Sequence, residues 1–184
     1  MLLILPFGIG SSIAQDQSDE AVDPVSMFNE LCYTKVPSIK AINDMATRFA
    51  WEPMGGEDLK QFTTIQNPEV LLGWDVRFSE RLFRLGVVQS KLGAEIESRF
   101  PGFSGGDATS CMIVLDGQDS GQSVLDGMNQ LAGKEPYEKN VLKDGLFGTS
   151  WAGGNEVFKV FLVVKTDQQK QANLISVSIL AKQQ

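Results

Sequence analysis

The sequence predicts an α+β domain whose mainly antiparallel sheet is covered on one face by two N-terminal helices and a later helix. Apolar residues recur at three- and four-residue spacing over residues 25–50, which is typical of amphipathic helices. After residue 69 the chain mostly alternates apolar and polar residues or forms short apolar runs, which are typical of strands. Because the strands follow one another with few helices between them, an antiparallel sheet is favoured over a parallel β-α-β sheet.

The two N-terminal helices are expected over residues 25–35 and 37–50. Pro37 is placed in the first turn of the second helix, where the missing N–H of proline is tolerated. The apolar stripe of the first helix consists of Met27, Phe28, Leu31 and Cys32. The stripe of the second consists of Ile39, Ile42, Met45, Ala46 and Phe49. Each helix therefore has one apolar face to bury, and the sheet is the surface that it covers.

Six strands and three further helical segments are expected after the diglycine turn at residues 55–56. The strands span residues 74–78, 83–88, 111–115, 146–152, 156–165 and 173–182. The first two pair as a hairpin around Ser79-Glu80, while residues 69–73 fit either helix or strand. The helical segments span residues 57–62, 94–100 and 122–132. Asp119 or Ser120 is expected to cap the last of these helices.

Residues 1–14 have the pattern of a secretory signal peptide. The apolar run MLLILPFGIG is followed by Ser12 and Ala14, the small-x-small pattern at which signal peptides are cut, although no Lys or Arg precedes the run. A frayed apolar N-terminus or a buried strand is the alternative. The run is too short to span a membrane, which takes about 20 apolar residues. We expect cleavage after Ala14, a disordered acidic tail over residues 15–23, and a single domain over residues 24–184.

The two cysteines are expected to form a disulfide. In an oxidising compartment an isolated pair usually bridges, so Cys32 is predicted to bond to Cys111, 79 positions away. Such a bridge ties the first helix to the central strand. The alternative is a pair of buried, reduced thiols in a cytosolic protein. Together with the signal pattern, the cysteine pair predicts a periplasmic or secreted protein.

The composition excludes several classes of function. The chain has no histidine, which rules out Ser-His-Asp and Cys-His activation of a nucleophile as well as histidine-ligated metal sites. Two cysteines are too few for a four-cysteine zinc site, and we expect no cofactor and no bound metal. The net charge of −7 opposes binding to nucleic acid or to an anionic membrane surface. No motif identifies an active site, so an enzyme is not expected.

A few motifs are spaced as in a group of small secreted proteins. They are Phe28-Asn29-Glu30-Leu31-Cys32, Pro37 at the start of a helix, Trp51 after that helix, and Cys111-Met112-Ile113-Val114 before another helix. This layout resembles that of small secreted or periplasmic proteins of proteobacteria that carry two cysteines. The resemblance implies an envelope or secreted location and a structural disulfide. It implies no activity and no catalytic residue, because none is established for that group.

We expect a non-enzymatic domain that binds another protein of the cell envelope, as an immunity-like inhibitor or as an accessory factor. Binding residues concentrate on loops that a rigid scaffold holds in place. The candidate surface therefore comprises loop and turn residues, namely Phe103, Asp116, Asp119, Trp151 and Asn155. Phe103 belongs to a glycine-rich loop, and packing back onto the domain is its alternative role.

The alternative function is binding or hydrolysis of an envelope glycan. Trp51, Trp74 and Trp151 each lie beside acids or glycines, and an aromatic platform with a pair of carboxylates suits a sugar site. The same tryptophans also occupy positions expected of core residues, at a helix end and on strands. A pocket for a small apolar ligand between the helices and the sheet is a third hypothesis.

Overall fold

The computed structural model describes residues 22–63, 65, 67–78, 81–142 and 145–183. The predicted signal peptide and nearly all of the predicted acidic tail lie outside the described residues. Asp23, the last residue assigned to that tail, is the N-cap of the first helix. Its carboxylate accepts 3.1 Å hydrogen bonds from the backbone N–H groups of Val25 and Ser26. None of the described helices is both long enough and apolar enough to cross a bilayer.

Eight strands of the described chain form one sheet in the order β1-β2-β3-β4-β8-β7-β6-β5. They are β1 (Glu52–Pro53), β2 (Val70–Phe78), β3 (Arg81–Lys91), β4 (Asp107–Ser120), β5 (Glu138–Val141), β6 (Phe147–Gly154), β7 (Phe158–Thr166) and β8 (Gln171–Ala181). Every neighbouring pair is antiparallel, so the predicted α+β class with a mainly antiparallel sheet is confirmed. The β2–β3 hairpin pairs Phe78 with Arg81 around residues 79–80, which lie outside the described part.

Two of the α-helices in the described chain make the main helical contacts with the central strands. The α-helices are α1 (Pro24–Phe28), α2 (Ile39–Arg48) and α3 (Gly121–Ala132), and a π-helical turn, Asn29–Tyr33, continues α1. Two short 3-10 helices span Gly56–Phe62 and Ala94–Ser98. The first helix contacts α3, β4 and β8, and α3 contacts β4, β7 and β8. The buried side chains of all three α-helices belong to one apolar core with those of the sheet.

A disulfide joins the helical segment to the middle of the sheet. Side chains alternate between the two faces of a strand, so Cys111, Ile113 and Leu115 of β4 share one face, and all three are buried. Cys111 is bonded to Cys32 of the π-helical turn, with Cα atoms 5.4 Å apart. That separation is the usual one for a disulfide, and the predicted pairing is confirmed.

On the opposite face, the 3-10 helix Gly56–Phe62 packs on two glycines. Gly73 of β2 and Gly86 of β3 are cross-strand partners, and the ring of Phe62 lies directly on both. A Cβ atom at Gly73 would stand 2.8 Å from Cε2 of Phe62, and a Cβ at Gly86 would stand closer still. Because Phe62 is buried in this slot, close approach of the ring explains both glycines.

Two local predictions at helix starts were wrong. Pro37 does not begin α2, because Ser38 is the N-cap and its hydroxyl accepts a hydrogen bond from a backbone N–H of the first turn. Neither Asp119 nor Ser120 caps α3 with its side chain. The carboxylate of Asp119 instead accepts two hydrogen bonds from the guanidinium of Arg81, at 2.9 and 2.7 Å. A bidentate charged pair of this kind outweighs a single capping bond.

Two strands were not predicted, and β4 is longer than predicted. The first strand, β1, has two residues and β5 has four, all of them exposed, so neither shows alternating burial. The fourth strand continues past Leu115 through Asp116 and Gly117, which have positive φ angles of 54° and 68°. Its register with β8 shifts at this point, so a bulge replaces the first part of the predicted loop at residues 116–121.

Candidate functional site

A groove lies at the β1 edge of the sheet, where the chain leaving α2 passes the end of the β2–β3 hairpin. Its volume is about 420 Å³. The apolar part of its lining consists of Leu31, Phe49, Ala50, Trp51, Phe78 and Leu82. The charged part consists of Glu30, Glu52, Asp75 and Arg77. We call this site the edge groove, and its size suits a few side chains of a partner or a small ligand.

Large apolar side chains are exposed in the edge groove. The exposed fractions of Phe49, Phe78 and Leu82 are 58%, 44% and 48%. Phe49 stacks on Trp51 with ring centroids 6.3 Å apart, and Trp51 meets the edge of the buried Trp74 ring at the same distance. The exposed ring of Phe49 is therefore supported by the core through two tryptophans. A supported apolar surface of this kind is typical of an interaction site.

The charges of the edge groove are mostly negative. Three carboxylates, those of Glu30, Glu52 and Asp75, line it together with the guanidinium of Arg77. Glu52 and Asp75 are direct cross-strand partners in the β1–β2 ladder, so two acidic side chains project from adjacent positions on one face. Like charges held opposite each other are unfavourable unless a cation lies near them. This arrangement favours a ligand with positive charge.

The edge of β2 is open inside the groove. The ladder between β1 and β2 ends at Glu52 and Asp75, and among the described residues no strand pairs with β2 beyond that point. Met54 donates its N–H to the carbonyl of Gly73 at 2.8 Å, which identifies the residues of β2 whose backbone groups point toward β1. By alternation, the N–H and C=O of Arg77 point the same way. They face the groove, where an incoming strand would lie.

The five residues predicted as a binding surface are not brought together. Phe103 lies in the loop before β4, and Asp119 lies near the other end of that strand. The ring of Phe103 is buried beside Phe100, with centroids 6.2 Å apart, and Nζ of Lys182 lies 5.2 Å from its centre. Its side chain therefore stabilises the glycine-rich loop, which was the alternative role considered for it.

The acidic turn is occupied by contacts within the chain. Asp119 forms the bidentate pair with Arg81, and Asp116 forms an ion pair with Arg84 of the same strand, β3. The hydrogen bond from Arg81 to Asp119 raises the pKa of the guanidinium above its ordinary value. Both carboxylates thus pair the bulged part of β4 with β3.

Trp151 and Asn155 line a second hollow, of about 360 Å³, at the end of β6. Trp151 is buried, and its indole N–H donates to the side-chain oxygen of Asn129 at 3.0 Å. The side-chain oxygen of Asn155 accepts the backbone N–H groups of Val157 and Phe158, at 2.8 and 3.0 Å. Trp151 therefore supports the core, and Asn155 shapes the β6–β7 turn.

Sequence reasoning missed the exposed apolar residues of the edge groove. Phe49 continues the stripe of α2, and Phe78 continues the alternation of Trp74 and Val76, so both were assigned to the core. Leu82 gave a usable signal, because it is apolar at a position whose strand neighbours on the same face are polar. An apolar residue on the polar side of a hairpin end indicates an exposed contact.

The structure leaves only one of the three tryptophans of the glycan hypothesis, Trp51, in the lining of the edge groove. Trp74 and Trp151 are buried in the core, whereas Trp51 lies in the edge groove with Glu52 and Asp75. In the part of the chain that the structure describes, no three His, Cys, Asp or Glu residues cluster closely enough to hold a metal ion. Of the residues in the sugar-site hypothesis, only the ring of Trp51 and the carboxylates of Glu52 and Asp75 lie together among the described residues.

Comparison with known proteins adds no relative. A scan against protein-family models, a search of curated proteins and a search of solved structures each found no match.

Proposed function

We propose that this chain is an exported, non-enzymatic domain that binds another protein through the edge groove. The observation that carries the proposal is the exposure of Phe49, Phe78 and Leu82 around one hollow beside an open strand edge. Exposed apolar side chains scattered singly need no explanation, but a contiguous group on a rigid support marks an interaction surface. A role as an immunity-like inhibitor or as an envelope accessory factor suits a domain that binds without catalysing.

The exported location rests on two features. The N-terminal pattern is that of a secretory signal, and the disulfide between Cys32 and Cys111 is of the kind that persists in oxidising compartments. The two-cysteine layout shared with small secreted proteins of proteobacteria agrees with the same location. The partner is therefore proposed to be a protein of the envelope or the exterior of the cell.

A glycan remains the second candidate ligand, because Trp51 lies beside the Glu52–Asp75 pair. Protein is favoured over sugar for two reasons. The exposed aliphatic side chain of Leu82 adds apolar surface on which a sugar ring does not stack, and Trp51 itself is half-buried between Phe49 and Trp74. Aromatic side chains of this kind are enriched at protein interfaces.

Site-specific crosslinking tests the proposal in the cells that make the protein. A photoreactive phenylalanine replaces Phe49, and the matched control places it at Val141, which is 68% exposed on β5 at the far edge of the sheet. We expect one discrete protein adduct from position 49 and none from position 141. The adduct, identified by mass spectrometry, should then be purified and should bind the wild-type domain.

A variant of the exposed groove completes the test. Leu82→Asn removes an apolar contact from the groove without changing its charge, at a residue that is about half exposed, so folding should be retained. The purified partner should bind this variant about tenfold more weakly, as expected when one apolar contact of the interface is lost. Equal adducts from both crosslinking positions, or unchanged affinity for Leu82→Asn, would refute the proposal.

A further inference from the structure

We propose that the edge groove takes an extended, basic segment of its partner as an added antiparallel strand on the open edge of β2. This inference rests on the proposed function and specifies how the partner binds. It commits to one occupant, a stretch of chain that alternates apolar and basic residues. Two observations carry it. The backbone of Arg77 lies beyond the end of the β1–β2 ladder, where no strand among the described residues pairs with it, and carboxylates are in excess in the groove.

The backbone geometry selects strand addition. The first strand pairs with β2 at Trp74 and Asp75 and then turns away toward α2, and Ala50 and Trp51 form the opposite wall of the groove. The N–H and C=O of Arg77 point into the space so created. An incoming strand that continues the direction of β1 would donate to and accept from this one residue. Main-chain hydrogen bonds of this kind supply affinity without depending on sequence.

The two faces of the sheet dictate the alternation of the added strand. Phe78 lies on the face that also carries the buried Trp74, beside Phe49 and Trp51. Side chains of the added strand on this face therefore meet aromatic rings and should be apolar. On the other face lie Asp75 and its cross-strand partner Glu52. Side chains on that face should be basic, because long side chains reach carboxylates at diagonal positions.

Charge complementarity decides between basic and acidic partners. Three carboxylates and one guanidinium line the groove, which leaves an excess of two negative charges. Arg77 lies on the same face as Asp75 and opposes a basic ligand, so its removal should strengthen binding. An acidic segment would face three like charges and gain only one opposite charge. Binding should also weaken as salt screens these exposed groups.

Synthetic peptides test the mode of binding on the full-length, oxidised protein. The probe is a fluorescent hexapeptide, Val-Lys-Val-Lys-Val-Lys, and its control replaces every Lys with Glu. Fluorescence anisotropy should show binding of the Lys peptide and none of the Glu peptide. Raising the salt from 0.05 to 0.5 M should weaken binding of the Lys peptide several-fold. Equal binding of the two peptides would overturn the inference.

Backbone methylation of the probe tests strand pairing independently of charge. In an antiparallel pair, residues opposite each other have side chains on the same face and, where they are hydrogen-bonded, N–H groups that point at each other's strand. The lysine opposite Arg77 therefore has its side chain on the face of Asp75 and its backbone N–H directed at β2. N-methylation of the central Lys amide should therefore weaken binding about tenfold, because one hydrogen bond is lost and the added methyl group separates the two strands. N-methylation of the central Val amide should have little effect. The opposite result would overturn the antiparallel register.

Proline substitutions make the matching test on the protein. Arg77→Pro removes the N–H that faces the groove, and Arg77→Ala retains it while removing the charge. The control is Lys139→Pro on β5, because the ladder of β5 with β6 directs the N–H of Lys139 toward solvent at the opposite edge. We expect about tenfold weaker binding for Arg77→Pro, two- to threefold tighter binding for Arg77→Ala, and wild-type binding for Lys139→Pro.

The outcomes separate this inference from the proposed function. If the crosslinked partner binds the groove but the methylated Lys peptide binds as well as the parent, strand addition is overturned and protein binding stands. If Arg77→Pro does not fold, the methylated peptides still decide, because they leave the protein unchanged. If the hexapeptide binds but no adduct forms at position 49, the proposed function fails while the edge remains able to pair.

Discussion

The contact between Phe62 and Gly86 gives a sharp prediction about stability. The effect of Gly86→Ala on the free energy of unfolding should have opposite signs in the wild-type chain and in a Phe62→Ala variant. Gly86→Ala in the wild-type chain forces a Cβ into the ring of Phe62. Overpacking of a buried contact costs about 1–3 kcal/mol of the free energy of unfolding. With Phe62→Ala already present, the same Cβ meets no ring. Alanine should then stabilise the strand by about 0.5–1 kcal/mol relative to glycine.

The magnitudes follow from the burial of Phe62. Its ring is nearly all removed from water, so Phe62→Ala alone should cost about 3–5 kcal/mol. The coupling free energy of the double-mutant cycle is the difference between the two effects of Gly86→Ala, about 1.5–4 kcal/mol. Gly55→Ala is the control, because Gly55 has an extended backbone and no atom within 4 Å of its Cβ position. Its effect should stay within about 0.5 kcal/mol.

Urea unfolding of the oxidised protein, followed by tryptophan fluorescence, measures all four corners of the cycle. Midpoints and slopes should be obtained for each variant, since a change of slope would indicate a change in the surface exposed on unfolding. The expected sign reversal of Gly86→Ala shows that the ring occupies the slot. Equal destabilisation by Gly86→Ala in both backgrounds would refute the reasoning, because the penalty could then not arise from Phe62.

Three further predictions follow. Reducing the bond between Cys32 and Cys111 should lower the free energy of unfolding by about 4.5 kcal/mol, the chain-entropy value for a loop of 79 residues, and a loss under about 1 kcal/mol would contradict a stabilising bridge. The backbone N–H groups of Gly102 and Ser104 donate to the carboxylate of Glu97 and lower its pKa. The stabilisation from these hydrogen bonds is therefore fully present above pH 4.5 and is lost as the pH falls through the lowered pKa. The amide proton shift of Gly102 should titrate below pH 4.5 and not in Glu97→Gln. Millimolar cell-wall glycans should leave tryptophan fluorescence unchanged, whereas a change lost in Trp51→Ala would favour the sugar site.

Elements with a clear burial period were predictable from the sequence. The strands β7 and β8 and the helix α3 each bury one side, so their patterns identify them to within a few residues. The hairpin between β2 and β3 was placed correctly because the alternating residues stop on both sides of residues 79–80. The strands β1 and β5 were missed because a short exposed strand buries nothing and carries no period.

The candidate site was less predictable than the fold. The turn-like composition of residues 116–121 indicated Asp116 and Asp119 as binding residues, but both carboxylates pair with arginines of β3. These pairs depend on the register between β3 and β4, which the local sequence does not determine. Phe49 and Phe78 have core-like spacing and are nevertheless exposed, because the two-residue β1 leaves the end of β2 without cover. Exposure at a sheet edge depends on where the neighbouring strand stops, and no pattern within β2 itself reports that.

The two edges of the sheet differ in a way that bears on function. The far edge, β5, presents Glu138 and Lys139 in four fully exposed residues, and charges of this kind block pairing with another chain. The open part of β2 carries Arg77 on one face and the exposed ring of Phe78 on the other, so only one face of this edge is charged and the other is apolar. An apolar open edge promotes self-association unless a partner covers it. Selection against aggregation would remove such an edge from a domain that acts alone, so its presence favours a partner that occupies it.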